Sequence, residues 1–163
     1  MSQNKFEASK TNGVHHKLSQ IAGEWEGTTA VYFEGTTPVD EAPVTATIRP
    51  VLDGRFMLHE YKASFQGKPL EGIALYGYDL ASEKFQCAWA DSFHMSTGIM
   101  FSQDSDPSKL FQVLGSYAAG DQQWGWRTEI EMPDENELNI IATNLMPDGS
   151  EAGGVKTRYK RKS

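Results

Sequence analysis

Short segments in which polar and apolar residues alternate follow one another along almost the whole chain. In the first of them Trp25, Thr29 and Val31 fall on one side, while Glu24 and Glu26 fall on the other. Alternation with a period of two is typical of a β-strand with one buried face. About ten such segments at regular spacing predict an all-β fold. They span residues 24–34, 43–52, 55–65, 72–80, 85–92, 97–102, 109–117, 124–132, 138–146 and 154–161.

The connections between these segments are short and rich in turn-forming residues. Asp53-Gly54, Ala119-Gly120-Asp121 and Pro147-Asp148-Gly149 are examples. Such turns favour hairpins, in which consecutive strands pair as antiparallel neighbours. An open meander would leave two unpaired edges, and closing the sheet removes both. We therefore predict an up-and-down, antiparallel β-barrel of about ten strands.

The segment before the first strand has a different pattern. Val14, Leu18 and Ile21 recur at helical spacing and Gly23 follows as a C-terminal stop, which predicts one short helix at residues 14–22. Residues 1–13 are polar and aperiodic, so we predict a flexible leader there. The remaining residues, 14–163, are expected to form a single barrel domain, because a chain of 163 residues suits one domain.

Charge and cysteine content narrow the classes of function. The chain has 15 Lys and Arg against 22 Asp and Glu, a formal net charge of −7, which argues against nucleic acid as a partner. It has no apolar run long enough to span a membrane. Cys87 is the single cysteine and the N-terminal residues lack a signal-peptide pattern, so we expect a cytoplasmic protein.

The more apolar side of each strand is expected to face the barrel interior. This rule points Phe33 inward together with Trp25 on the first strand. Two segments, 72–80 and 138–146, are apolar on both sides and stay unassigned. The resulting interior is aromatic with a few polar groups, which is typical of a small-molecule pocket. The same aromatic side chains could instead fill the barrel completely.

Several motifs occur in an order that resembles a known family. The sequence resembles an uncharacterised, largely bacterial family known as a domain of unknown function, with a lipocalin-like (calycin) barrel. This resemblance runs from about His15 to the C-terminus and implies the architecture and a possible cavity, with no established activity. The motifs are Gly23-Glu24-Trp25, Gly54-Arg55-Phe56, Glu71-Gly72, Gly77-Tyr78-Asp79, Trp89-Ala90-Asp91-Ser92, Trp126-Arg127, Asp148-Gly149-Ser150-Glu151 and Tyr159-Lys160-Arg161-Lys162.

In lipocalin-like barrels the opening tryptophan closes one end, and an arginine near the last strand packs over it. Trp25 matches that tryptophan, and Arg158 or Arg161 is the candidate partner. A cation–π contact of this kind contributes about 1 kcal/mol. The resemblance therefore implies a structural role for Trp25.

The main functional hypothesis is a barrel that binds a small apolar or aromatic ligand. Three aromatic side chains are expected to form walls and three polar groups to hold the ligand in place. The candidate ligand-binding residues are His59, Tyr61, Trp89, Asp91, Trp126 and Tyr159.

Other functions remain open at this stage. His59 and Asp91 could form a histidine–carboxylate pair for proton transfer, so the sequence leaves open whether the protein is an enzyme. A filled barrel could serve as a self-association module, for example in a homodimer. A distant likeness to nitrobindin-type barrels raises haem binding, which would need an axial ligand such as His59 because no histidine follows His94. No metal-site spacing is present, and no cofactor is assigned.

Overall fold

The computed structural model describes residues 2–163 and contains two helices followed by ten strands. The helices are α1 (Ser2–Asn12) and α2 (Val14–Ser19). The strands are β1 (Gly23–Tyr32), β2 (Asp40–Val51), β3 (Phe56–Phe65), β4 (Lys68–Asp79), β5 (Lys84–Asp91), β6 (Met100–Asp104), β7 (Phe111–Ala119), β8 (Gln122–Asp134), β9 (Glu137–Leu145) and β10 (Glu151–Arg161).

The strands form a closed antiparallel barrel. Each strand pairs with the next in the sequence, and β10 returns to pair with β1, with Val31 opposite Val155. The predicted up-and-down barrel is confirmed. The β6–β7 seam is the thinnest, since its register rests on the single pair Gln103 and Leu114. Closure leaves no free edge between β1 and β10, where the two ends of the sheet meet.

A glycine allows β1 and β10 to approach each other closely. A Cβ atom at Gly27 would lie 1.8 Å from the carbonyl oxygen of Arg158. That atom belongs to the backbone of the paired strand and cannot move away without opening the seam. Gly27 is therefore a requirement of barrel closure.

The helices cover one end of the barrel. Trp25 is fully buried there, and its indole N–H donates to the Ile21 carbonyl oxygen at 2.9 Å. The Arg161 guanidinium lies 4.3 Å from the centre of the Trp25 ring. It also donates to the carbonyl oxygens of Ala22 and Gln20, at 2.6 and 3.2 Å. The predicted arginine–tryptophan contact is confirmed, and the arginine is Arg161 rather than Arg158.

The structure contains a helix that the sequence analysis does not predict. Residues expected to form a leader make up α1, whose Phe6 side chain is only 5% exposed. The Phe6 ring packs edge-on against His15 of α2 and lies under the Arg55 guanidinium, 4.3 Å away. Few side chains of α1 pack against the rest of the protein. The helix therefore has no apolar stripe, which is the pattern by which helices are recognised in a sequence. The division into leader and barrel domain stays a prediction.

Most of the predicted inward side chains lie inside the barrel, and the structure settles the two unassigned strands. Ala74 and Tyr76 of β4 point inward, as do Leu138 and Ile140 of β9. Phe33 is wrongly predicted: it is 61% exposed. β1 ends at Tyr32, so the alternation no longer applies to the next residue. None of the helices described within residues 2–163 is long and apolar enough to cross a membrane.

Candidate functional site

The barrel encloses a cavity of about 100 Å³. Its wall is mainly apolar and includes side chains from strands on every side of the barrel. All six predicted ligand-binding residues line it: His59, Tyr61, Trp89, Asp91, Trp126 and Tyr159. Their position in one cavity follows from the inward parity of their strands. Their role in binding stays a prediction.

His59 lies at the centre of a hydrogen-bonded group of aromatic side chains. Its Nδ1 is 2.8 Å from the Tyr76 hydroxyl, and its Nε2 is 2.9 Å from the Tyr159 hydroxyl. His59 is 3% exposed, and burial lowers the pKa of His59 to about 3. The ring is therefore neutral at physiological pH. Burial also raises the pKa of Tyr76 and of Tyr159, so both hydroxyls keep their protons.

Tyr61 packs beside this group. Its ring centre is 4.9 Å from that of His59, and its hydroxyl accepts a hydrogen bond from the Trp89 indole N–H at 2.9 Å. Burial raises the pKa of Tyr61 as well. Gly72, opposite Tyr61 in the β3–β4 ladder, leaves room for the ring: a Cβ there would lie 2.2 Å from it. The glycine therefore sets the position of the Tyr61 ring.

Gly72→Ala is expected to displace the Tyr61 ring without changing the Tyr61 residue itself. The added methyl group overlaps the ring, so the hydrogen bond to Trp89 should lengthen or break. We expect a changed tryptophan emission spectrum and a free energy of unfolding lower by about 1–3 kcal/mol, the range for overpacking. Gly98→Ala is the matched control, because Gly98, like Gly72, has no positive φ and its added Cβ would meet no atom nearer than 3.5 Å. An unchanged emission spectrum in Gly72→Ala would contradict this positioning role.

Three rings lie where the cavity reaches the barrel mouth. Trp89 and Trp126 are parallel, with ring centres 5.7 Å apart and planes inclined by 1°. The centre of the His94 ring lies 5.7 Å from that of Trp89 and 5.8 Å from that of Trp126. Parallel rings at this separation pack as an offset stack. The stack forms an aromatic surface between the interior and the outside.

Asp91 anchors the loop that follows β5. Its carboxylate accepts hydrogen bonds from the backbone N–H of Phe93 and Met95, at 3.2 and 2.8 Å. The His94 Nδ1 lies 2.7 Å from the other carboxylate oxygen. Burial raises the pKa of Asp91, but the hydrogen bonds from His94 and Met95 outweigh it, so the pKa lies below its usual range. Asp91 therefore holds His94 against the tryptophan stack.

His59 and Asp91, which the sequence left open as a possible histidine–carboxylate pair, do not hydrogen-bond to each other. Both nitrogens of His59 are engaged by tyrosines, and Asp91 is engaged by its own loop. The sequence could not show this, because neither Tyr76 nor His94 was assigned to the interior. Tyr76 lies on a strand of ambiguous parity, and His94 lies in a loop, where alternation gives no signal.

A second pocket of about 440 Å³ adjoins the cavity at the mouth. The two share the side chains of Val31, Trp89, His94, Trp126 and Val155, so the tryptophan stack forms part of the wall of both.

Three phenylalanines pack at the same end of the barrel. The Phe65 ring centre lies 6.3 Å from that of Phe33 and 4.8 Å from that of Phe93. Phe33 and Phe93 are 61% and 43% exposed. The end opposite the helices is thus apolar and partly exposed.

Other candidate groups do not form a reactive site. Cys87 is buried, and burial raises the pKa of its thiol to about 12, so it is not an activated nucleophile. Within residues 2–163 no group of three or more metal-ligating side chains occurs. Haem ligation by His59 would require breaking one of its two hydrogen bonds. The homodimer stays a prediction; Phe101 and Leu114 are exposed and line a groove on the outer wall.

Comparison with protein families identifies the chain at the family level. The family model described as "Protein of unknown function (DUF1579)" matches residues 10–161. The chain belongs to this family. The resemblance noted from the sequence motifs is thereby confirmed. No curated protein matches the chain.

Solved structures with the same architecture show how far the DUF1579 protein resembles other barrels. The S-type phycobiliprotein lyase CPES from Guillardia theta is 8% identical, with a TM-score of 0.57, and the match covers 92% of this chain and 93% of that chain. A de novo designed fluorescence-activating β-barrel is 13% identical, with a TM-score of 0.45, covering 90% and 98%. The likeness to the lyase shows a shared barrel fold.

Proposed function

We propose that this DUF1579 protein binds a small, mainly apolar aromatic molecule inside its barrel. The observation that carries the proposal is the apolar cavity inside the barrel, which shares the Trp89–Trp126 stack as a wall with the adjoining mouth pocket. Aromatic surfaces at the entrance of an apolar cavity bind flat rings by offset stacking, worth about 0.5–1.5 kcal/mol beyond the burial of area. The phycobiliprotein lyase shares the fold alone, so the proposal rests on the cavity.

The size of the cavity limits the ligand. An apolar cavity of about 150 Å³ is enough for benzene, and the interior here measures about 100 Å³. The interior can therefore receive a small group, while a ring lies at the stack and extends into the mouth pocket. Large multi-ring ligands would not enter without a change in the barrel.

The charge of the wall limits the ligand further. Among residues 2–163, no lysine or arginine lines the cavity, and the Asp91 carboxylate does. An anion buried there would lack a cationic partner and would lie near a like charge. A neutral ligand is therefore part of the proposal.

Binding fits the geometry better than the two alternatives. The enzyme hypothesis depended on a His59–Asp91 pair, which is not formed. The filled-barrel hypothesis requires that side chains occupy the interior, and space remains there. A cytoplasmic location stays part of the proposal, since Cys87 is a free thiol.

The test is native mass spectrometry of the protein purified from its own host, followed by denaturation and identification of any small molecule released. We expect a neutral aromatic compound at a stoichiometry near one per chain. The released compound is then added back to Trp126→Ala and to Phe101→Ala. Phe101 is 74% exposed and lies on the outer wall, so its variant controls for the loss of an aromatic side chain away from the cavity.

Trp126→Ala removes half of the stack, so we expect its affinity for the released compound to fall about tenfold or more, a loss of about 1.4 kcal/mol or more. Phe101→Ala should bind as the unmodified protein does. An equal loss of affinity in both variants would contradict the proposal. So would a released compound that binds only to the outer wall of the barrel.

A further inference from the structure

The Tyr61 hydroxyl has a proton with no acceptor. Its oxygen accepts from the Trp89 indole N–H, and within the described part of the chain this is its only hydrogen-bond partner. A phenol carries one donor besides its acceptor lone pairs. Since Trp89 occupies a lone pair, the O–H of Tyr61 remains free, and Tyr61 lines the cavity.

The group around His59 leaves a second free proton. A neutral imidazole has one N–H donor and one acceptor nitrogen. One of Tyr76 and Tyr159 therefore donates to the ring, while the other accepts from it and keeps its own O–H unused. This count holds for either tautomer of His59. Both tyrosines line the cavity, and His59 is the only hydrogen-bond partner of each hydroxyl among residues 2–163.

The strongest acceptor in the wall is already occupied. The Asp91 carboxylate accepts from Phe93, Met95 and His94. The spare O–H of Tyr61 and the spare O–H of the Tyr76–His59–Tyr159 group have no acceptor partner among the described residues. A buried donor left without an acceptor destabilises the complex or cavity that contains it.

From this proton count we infer that the ligand carries a neutral hydrogen-bond acceptor, of which a carbonyl oxygen is the type case, and that the Tyr61 hydroxyl donates to it. The inference rests on the proposed function and names the chemical class of its ligand. The spare O–H of the Tyr76–His59–Tyr159 group is the second donor. The ring that bears the acceptor lies against Trp89 and Trp126.

A matched pair of test ligands tests the hydrogen-bond acceptor separately from the proposed binding of an aromatic ring. Acetophenone and α-methylstyrene have nearly the same shape and differ in a carbonyl oxygen against a methylene group. Their dissociation constants are measured by calorimetry with the unmodified protein, with Tyr61→Phe and with Tyr78→Phe. Tyr78 lies at the helix-covered end, against His15 and Phe85, and controls for loss of a tyrosine hydroxyl elsewhere.

We expect the unmodified protein and Tyr78→Phe to prefer acetophenone by about tenfold or more, as one to two additional hydrogen bonds to a buried donor imply. In Tyr61→Phe this preference should shrink several-fold, and the ratio of affinities is insensitive to a general loss of stability. Equal binding of the two compounds to the unmodified protein overturns the inference and leaves the proposed function intact. Binding of neither compound overturns both.

A second measurement needs no variant. The infrared carbonyl band of bound acetophenone should move to lower frequency than in an alkane solvent, because the O–H groups polarise the carbonyl. A band at the alkane position means that water or nothing meets these hydroxyls, and it overturns the inference.

Discussion

Trp25→Ala is expected to lower the free energy of unfolding by about 3–5 kcal/mol, the usual cost of removing a large aromatic side chain from a core. The side chain is fully buried, and its ring packs 6.3 Å from that of Tyr159. The substitution also leaves the Ile21 carbonyl oxygen without its donor and Arg161 without its aromatic surface. Chemical denaturation measured by circular dichroism gives the change directly.

Phe101→Ala is the control for this stability measurement. It removes an aromatic side chain that is 74% exposed on the outer wall, so we expect less than half of the loss. The interpretation of Trp25 as the closing residue of the helix-covered end would be wrong if Trp25→Ala lost less than about 1 kcal/mol.

Acidification is expected to destabilise the protein well above the pH at which carboxylates titrate. His59 has a pKa of about 3 in the folded barrel, whereas an unfolded histidine has a pKa of about 6.5. Between these values the unfolded state binds more protons, so stability rises with pH and is fully present above about pH 6.5. From pH 6.5 to 4.5 the loss attributable to His59 is about 2–3 kcal/mol.

The contribution of His59 can be isolated by comparing how steeply the free energy of unfolding changes with pH in different variants. His59→Phe should unfold more easily than the unmodified protein at pH 7 but should lose less stability between pH 6.5 and 4.5. A residual slope is expected from His15, whose pKa burial also lowers. His16→Gln, at an exposed position, should keep the full slope.

Nuclear magnetic resonance checks the same point without a variant. The ring protons of His59 should stay at their neutral-form positions down to about pH 4 while the protein remains folded. Titration of the folded-state resonances near pH 6.5 would contradict a buried neutral His59.

Much of the candidate site follows from local alternation. His59 and Tyr61 are two residues apart on β3, as are Trp89 and Asp91 on β5, so each pair points to one face. Once the apolar side is identified as the inner side, all six predicted residues must line the same cavity. The same rule fails for Phe33, since the strand has ended, and gives no answer for Tyr76, since both faces of β4 are apolar.

The sequence by itself determined the strand order and the inward side of most strands, because turn chemistry and a two-residue period are local properties. Only the tertiary structure decided which side chains meet inside. Tyr159 reaches the Nε2 atom of His59 across 100 positions of sequence because β10 returns to close the barrel against β1. His94 hydrogen-bonds to Asp91 from a loop in which residues do not alternate, whereas His59 hydrogen-bonds to tyrosines. Hydrogen-bond partners depend on distances set by closure, which alternation does not encode.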